Sequence, residues 1–320
     1  MVRVLHIIDA SNQIYRCAVM GRTYTYGTEF DGYSYQTKSV PVSGVSALLN
    51  YPLMIERDFF SGPNVENHYA FCFDSRSKTI KRQNNPEYKS SRTYDPSLCV
   101  HPQLEYAEEV LKLYGYAALR VEGYEADDIA YTLWKTAKSD YDLIFLHSTD
   151  KDWAFMIDPD TTQFAKRKIK ETGQYDYVAI TPTNFTDIYN MQYNTMLMFK
   201  VLKGDPSDCI SGIGVKNLKY IQDSIPSHIT PEQMNDVQNV REILLAAGKA
   251  HPEFPVAKAL EILNLVSPEY IDDDSLAAEV LESRPKRLPY NYLWTVKPQN
   301  RDDEHKDRFY DFVEATRAER

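Results

Sequence analysis

Short apolar runs alternate with longer amphipathic stretches through about residue 180. The runs VRVLHII (2–8), HYAFCF (68–73) and YDLIFLH (141–147) are nearly continuous in hydrophobicity, which predicts strands buried on both faces. Helices are predicted at 43–59, 101–114 and 125–138. This alternation of strand and helix predicts an α/β fold whose mainly parallel central sheet has helices on both faces.

The pattern changes after residue 180, where strands give way to helices. The stretch TPTNFTDIYNMQYNTMLMFKVLKGD predicts helix, the turn SGIGVK follows at 211–216, and further helices are predicted to about residue 265. We therefore divide the chain into an α/β core (1–180), a helical subdomain (181–265) and a C-terminal extension (266–320) to which we assign no role. A basic segment at 75–95 lacks apolar periodicity, so we expect it to lie outside the core.

Composition favours a folded protein of the reducing cytoplasm. Of the 320 residues, 43% are hydrophobic and 26% are charged, as in ordinary globular proteins. We expect no contact with membranes, because no apolar run approaches the roughly 20 residues that span a bilayer. Cys17, Cys72, Cys99 and Cys209 form no CxxC pair, and we expect free thiols.

Acidic side chains follow the predicted strands at the points where each strand ends. Asp9 and Asp74 come directly after the first two runs, and Asp150 and Asp152 follow the third after a short step. Because the carboxyl ends of parallel strands meet at one edge of a sheet, we expect these four acids to lie close together.

Two further acidic groups have helical spacing. Glu125 and Asp128 are three residues apart, with Asp127 beside them, and Asp205 and Asp208 have the same separation. The nine acids would repel one another unless hard divalent cations neutralise them. Removing them from the count leaves 46 − 9 = 37 acids against 36 Lys and Arg, so the net charge of −10 would sit almost entirely in one pocket. Two metal ions in such a pocket suit phosphodiester hydrolysis, and we expect neutralisation of Asp127 to stabilise the metal-free protein.

The order of these motifs resembles the flap endonuclease/5′-nuclease superfamily, which includes the 5′-nuclease domain of bacterial DNA polymerase I and the bacteriophage 5′-exonuclease and RNase H enzymes. The resemblance covers roughly the first 220 residues. The matching stretches are IIDASNQIYR (7–16), FDSRSKTIKRQNNPEYKSSR (73–92), VEGYEADD (121–128), STDKD (148–152) and LKGDPSDCISGIGVKN (202–217).

This resemblance implies two Mg²⁺ ions, for which Mn²⁺ can substitute. The first would be held by Asp9, Asp74, Glu125 and Asp127, and the second by Asp128, Asp150, Asp152, Asp205 and Asp208, with Asp127 open to serving both. It also implies that residues 75–95 form an arch or gateway for single strands. Lys81, Lys89 and Arg92 would contact the scissile phosphate, and Tyr88 would stack on a base.

The stretch 211–216 resembles the hairpin of the family's helix–three-turn–helix element. Gly212, Gly214 and Lys216 would grip duplex phosphates, and a monovalent cation would bind at the hairpin. The hairpin lacks the proline that bacterial members have after Ile210, which leaves the strength of duplex binding open.

We expect a monomeric 5′-3′ exonuclease/flap endonuclease that removes RNA primers in a phage-like replication system. Its substrates would be DNA with 5′ flaps, gaps or nicks and RNA–DNA hybrids, and a single-strand-binding protein is a candidate partner. Three alternatives stay open: a PIN-type single-strand ribonuclease, a non-catalytic DNA-binding scaffold, and a phosphotransferase with an Asp nucleophile.

Overall fold

The computed structural model describes residues 1–20, 23–30, 35–58, 62–93, 95–169, 172–230 and 233–286, and only the backbone over 23–30 and 35–40 and at position 58. Residues 287–320 of the predicted extension and Tyr94 of the basic segment lie outside this range. The strands are β1 (Val2–Asp9), β2 (Thr23–Phe30), β3 (Tyr35–Pro41), β4 (Val65–Phe73), β5 (Ala117–Arg120), β6 (Leu143–His147), β7 (Thr161–Lys168), β8 (Tyr175–Ile180), β9 (Gly204–Asp205) and β10 (Ile210–Ser211).

The three helices predicted within the first 140 residues lie where expected, whereas two further helices there, Ala10–Ala18 and Ile80–Asn84, were not predicted. The helices are α1 (Ala10–Ala18), α2 (Ser43–Asp58), α3 (Ile80–Asn84), α4 (Val100–Leu113), α5 (Ala126–Ala137), α6 (Phe185–Tyr189), α7 (Met196–Lys203), α8 (Leu218–Gln222), α9 (Val237–Ala250), α10 (Val256–Val266) and α11 (Ser275–Glu282).

Six strands form the central sheet in the order β5–β4–β1–β6–β7–β8. Every neighbouring pair is parallel except β7 and β8, which are antiparallel. Successive strand residues serve opposite faces, as the pleat requires: Ile8 and Phe71 pack under α1, α2 and α4, and Ile7 and Ala70 pack under α5. The predicted mainly parallel sheet with helices on both faces is confirmed.

The predicted helix after residue 180 is interrupted. The first part, α6, ends at Tyr189, because the next residue, Asn190, has a left-handed backbone conformation (φ 55°) that a helix cannot continue. The second part, α7, begins only at Met196 and packs with α9 and α10 around a separate apolar core. The helical character was therefore predicted correctly and the continuity was not.

The chain returns to the sheet after α10. Ile271, Leu276 and Val280 belong to the same apolar core as α5, and the Ile271 amide donates to the Thr132 hydroxyl at 2.9 Å. The first part of the extension therefore completes the α/β core. No helix in the described ranges is long and apolar enough to cross a membrane.

Candidate functional site

Three parallel strands bring carboxylates to one edge of the sheet. Asp9 ends β1, Asp74 follows β4, and Asp150 follows β6 after a two-residue step. Asp9 also caps α1, since one oxygen accepts the Asn12 amide at 2.9 Å and the other accepts the Ser148 hydroxyl at 2.7 Å. The ends of three parallel strands thus bring this group of acids together at one edge of the sheet.

A cavity of about 460 Å³ opens at this edge. Five carboxylates line it: Asp9, Asp74, Glu125, Asp127 and Asp150. Asp150, which we expected at the second metal, therefore lies with the acids expected at the first. Burial, together with the charges of Asp74 and Asp150, raises the pKa of Asp9 to about 8. The cavity is consequently short of positive charge around Asp9.

Asp127 has a buried oxygen, Oδ1, that finds no hydrogen-bond partner among the described residues. Burial by itself raises the pKa of this carboxyl, but nearby Lys81, Lys89 and Lys200 outweigh it and lower the pKa. Neutralising Asp127 would therefore remove a negative charge that nearby lysines already balance. We correct the expectation that this neutralisation stabilises the metal-free protein, and we now expect that effect from neutralising Asp9. An unpartnered carboxylate oxygen in a buried site fits a cation ligand.

A second group of acids consists of Asp152, Asp205 and Asp208. Each offers an oxygen within 4.8 Å of the others. Asp152 lies in a 3₁₀ turn at Lys151–Met156, whereas Asp205 and Asp208 lie at the β9–β10 connection. Three convergent carboxylate oxygens from separate segments are typical of a divalent-cation site.

Lys200 was missed by our sequence reasoning, although it lies at the centre of this second group. Its buried ammonium pairs with Asp152 and, at 3.0 Å, with Asp205. Burial and the charges of Asp150 and Asp205 raise the pKa of Asp152 to about 6, although Lys200 opposes the shift. A lysine in the middle of the apolar helix MLMFKVLK, shortly before Asp205, was the available signal.

Asp128 has a different role from the predicted metal ligand. One oxygen accepts from Lys81 at 3.1 Å and from the Glu269 amide at 2.7 Å, and the other accepts the Glu125 amide at 2.9 Å. Both oxygens are thus engaged in joining the basic segment, the start of α5 and the C-terminal chain. Lys81 is 5% exposed, so the predicted contact with a phosphate is corrected as well.

The rest of the basic segment approaches both acidic groups. Lys89 donates to Glu125 at 2.6 Å and Arg92 donates to Asp208 at 2.8 Å. Tyr88 is only 3% exposed, packs in the helical core and donates to Glu125 at 3.0 Å, so it cannot stack on a base in this conformation. The expectation that residues 75–95 avoid the core is therefore wrong for Lys81 and Tyr88.

The 211–216 hairpin packs closely against the end of α7. A side chain at Gly212 would lie 2.3 Å from the Leu202 carbonyl oxygen. Gly214 has φ +90° and donates its amide to the same carbonyl at 2.8 Å. Close packing therefore requires glycine at position 212, and the left-handed backbone requires it at position 214. We expected Gly214 to bind a phosphate, but its amide already donates to a carbonyl. Lys216 is exposed.

The fold and the two acidic groups together define an α/β protein with a carboxylate site at the carboxyl edge of its sheet. Residues 4–189 match the family model described as "5′-3′ exonuclease, N-terminal resolvase-like domain". This match covers more than half of the chain, which therefore belongs to the 5′-3′ exonuclease family of nucleases.

Similar proteins include DNA polymerase I of Mycobacterium tuberculosis, 31% identical over 146 residues, and that of Bacillus subtilis, 32% identical over 146 residues. In both, the match covers 46% of this chain and 16% of the polymerase. Among solved structures, bacteriophage T5 5′-exonuclease with bound zinc ions has a TM-score of 0.45 at 15% identity, covering 99% of this chain and 98% of that one. Human GEN1 in complex with Holliday junction DNA has a TM-score of 0.42 at 12% identity, covering 98% and 71%.

Proposed function

We propose that this chain is a structure-specific 5′-nuclease that uses two Mg²⁺ ions to hydrolyse phosphodiester bonds in replication. Its substrates are 5′ flaps, gapped or nicked duplexes and RNA primers. The observation that carries the proposal is the presence of two acidic groups, with an unpartnered oxygen of Asp127 in the cavity of the first.

The donor set fits hard divalent cations, because it offers carboxylate oxygens and no thiolate or imidazole. Mg²⁺ or Mn²⁺ bound there supplies an activated water and stabilises the leaving oxygen. The first ion would be held by Asp9, Asp74, Glu125, Asp127 and Asp150, and the second by Asp152, Asp205 and Asp208.

Lys89 and Arg92 neutralise carboxylates of the two groups, Glu125 and Asp208. Where metal ions supply that positive charge, these two cations are available to hold the scissile phosphate. Arg92, whose side chain is 57% exposed, can reach a strand that enters the cavity. Exposed Lys216 would contact a phosphate of the duplex arm.

Several finer expectations remain predictions of the same proposal. They are binding of a monovalent cation at 211–216, a monomeric state, and interaction with a single-strand-binding protein. The domain boundaries near residues 180 and 265 also remain predictions.

Cleavage of end-labelled substrates tests the proposal. A 5′ flap, a nicked duplex and an RNA–DNA hybrid should be cut in Mg²⁺ and not in EDTA, whereas a 3′ flap of the same sequence should stay intact. Asp74→Asn should abolish cutting, and Asp187→Asn, which alters an exposed acid on α6, should not. Equal cutting of 3′ and 5′ flaps, or cutting in EDTA, would contradict the proposal.

A further inference from the structure

Gln163 is a fully buried polar residue of β7, with 0% exposure, and it belongs to neither acidic group. Its side-chain amide nitrogen donates to the Ser148 carbonyl at 2.9 Å and to the Asp150 carbonyl at 2.8 Å. Its side-chain oxygen accepts the hydroxyl of Tyr189 at 2.8 Å. Gln163 therefore joins α6 to the turn that carries Asp150.

The orientation of this amide is determined by its partners. Backbone carbonyls only accept hydrogen bonds, so the NH₂ group must face Ser148 and Asp150 and the oxygen must face Tyr189. Burial raises the pKa of Tyr189 to about 12, so its hydroxyl keeps the proton that it donates. The guanidinium of Arg167 lies 4.9 Å from the ring centre of Tyr189 and holds that ring in place.

The turn held by Gln163 contacts both acidic groups. The Ser148 hydroxyl donates to Asp9, a member of the first group, at 2.7 Å. The Asp150 side chain accepts a hydrogen bond from the backbone amide of Asp152 at 2.9 Å, and Asp152 belongs to the second group. A displacement of the two carbonyls would consequently move ligands of both metal ions at once.

We infer that Gln163, with Tyr189 behind it, is a positioning residue that sets the geometry of the Ser148–Asp152 turn for divalent-metal binding. The inference rests on the proposed function. Neither residue touches the carboxylate oxygens, so each acts through the backbone of the turn. Residues that orient metal ligands in this way typically change metal affinity or activity by about 10- to 100-fold when they are replaced.

Gln163→Met tests the inference, because methionine has a similar length and cannot donate to the two carbonyls. The affinity for Mg²⁺ is measured from the rise in melting temperature during a Mg²⁺ titration, and separately from the Mg²⁺ dependence of flap cleavage. We expect both to show binding weakened by about 10- to 100-fold. Tyr189→Phe retains the two amide bonds, so we expect a smaller loss, below about 10-fold.

Gln103 offers a matched control. It is equally buried, and its side chain accepts the Gly44 amide at 2.9 Å and donates to the Leu98 carbonyl at 2.9 Å. Gln103→Met should lower the melting temperature without changing the Mg²⁺ titration, which separates metal positioning from general stability.

An unchanged Mg²⁺ titration for Gln163→Met, or a change equal to that of Gln103→Met, would overturn the inference. If Gln163→Met does not fold, Tyr189→Phe decides the matter, and wild-type Mg²⁺ affinity in that variant would overturn it. If the wild-type protein itself shows neither a Mg²⁺-dependent shift nor cleavage, the proposed function fails, and the inference fails with it.

Discussion

Replacing Asp9 by Asn should stabilise the metal-free protein at pH 8 and have little effect at pH 5. Asp9 is buried beside Asp74 and Asp150, and these surroundings raise its pKa from 3.8 to about 8. Asparagine keeps an oxygen for the Asn12 amide and remains a good helix cap, so the substitution removes the charge and, of the two hydrogen bonds, only the one from the Ser148 hydroxyl.

The size of the effect follows from linkage between protonation and folding. Between pH 5 and pH 8 the folded carboxyl keeps a proton that the unfolded chain has lost, so stability falls as the pH rises. One pKa unit corresponds to about 1.4 kcal/mol, which gives a loss of at most about 4 kcal/mol over this range in wild type. The variant has no such loss, so its advantage should grow with pH by an amount on the order of 2–4 kcal/mol.

Urea unfolding in EDTA at pH 5, 6, 7 and 8 measures this difference, with Asp187→Asn as the exposed control. In Mg²⁺ at pH 8 the advantage of the variant should shrink by up to about 2.7 kcal/mol, which is the stabilisation that an ion at 100 times its Kd gives the wild-type fold. A pH-independent difference in EDTA, or an Asp9→Asn protein that is less stable at pH 8, would refute the reasoning.

The remaining predictions concern the basic segment and the hairpin. Lys89→Ala should slow single-turnover cleavage more than it weakens flap binding, since its partner Glu125 lies in the acidic cavity; a purely affinity-based loss would contradict this. Tyr88→Ala should lower the free energy of unfolding by about 3–5 kcal/mol, as expected for a buried aromatic, whereas Tyr88→Phe should lose about 1 kcal/mol by urea unfolding. Asp128→Asn should lower the melting temperature clearly, because it removes the charge that pairs with buried Lys81, and it should weaken Mg²⁺ binding only slightly. Lys216→Ala should weaken binding to all duplex-containing substrates alike and reduce the salt dependence by about one phosphate contact, and a sequence-dependent loss would argue against a phosphate contact.

The sequence was sufficient for the features that depend on strand direction. Asp9, Asp74 and Asp150 end or follow strands whose apolar runs are readable, and parallel pairing then brings them together. Periodicity also gave α5, on which Asp127 lies. Such features follow from local pattern and from the few topologies that a parallel sheet allows.

Contacts between distant segments were not predictable in this way. Asp128 differs from Asp127 only by one step along α5, and its role depends on Lys81 and on the amide of Glu269, 141 residues further along the chain. Tyr88 looked like an exposed aromatic because its own segment has no apolar periodicity, but it belongs to the apolar core that α7, α9 and α10 form. Gln163 was missed for the same reason, since it lies in a strand and its partner Ser148 lies in another segment. Lys200 was missed although its partner Asp205 is close in sequence, because the pairing with Asp152 depends on the fold.

The central claim is that the carboxylates of both acidic groups act through bound metal ions. Single-turnover cleavage of a 5′ flap in Mg²⁺ by wild type and Asp152→Asn tests it most directly, with flap binding and melting temperature recorded alongside. We predict a rate lower by several orders of magnitude in Asp152→Asn, with flap binding retained, because one ligand of the second ion is weakened. Cleavage by Asp152→Asn at close to the wild-type rate would contradict the two-metal account.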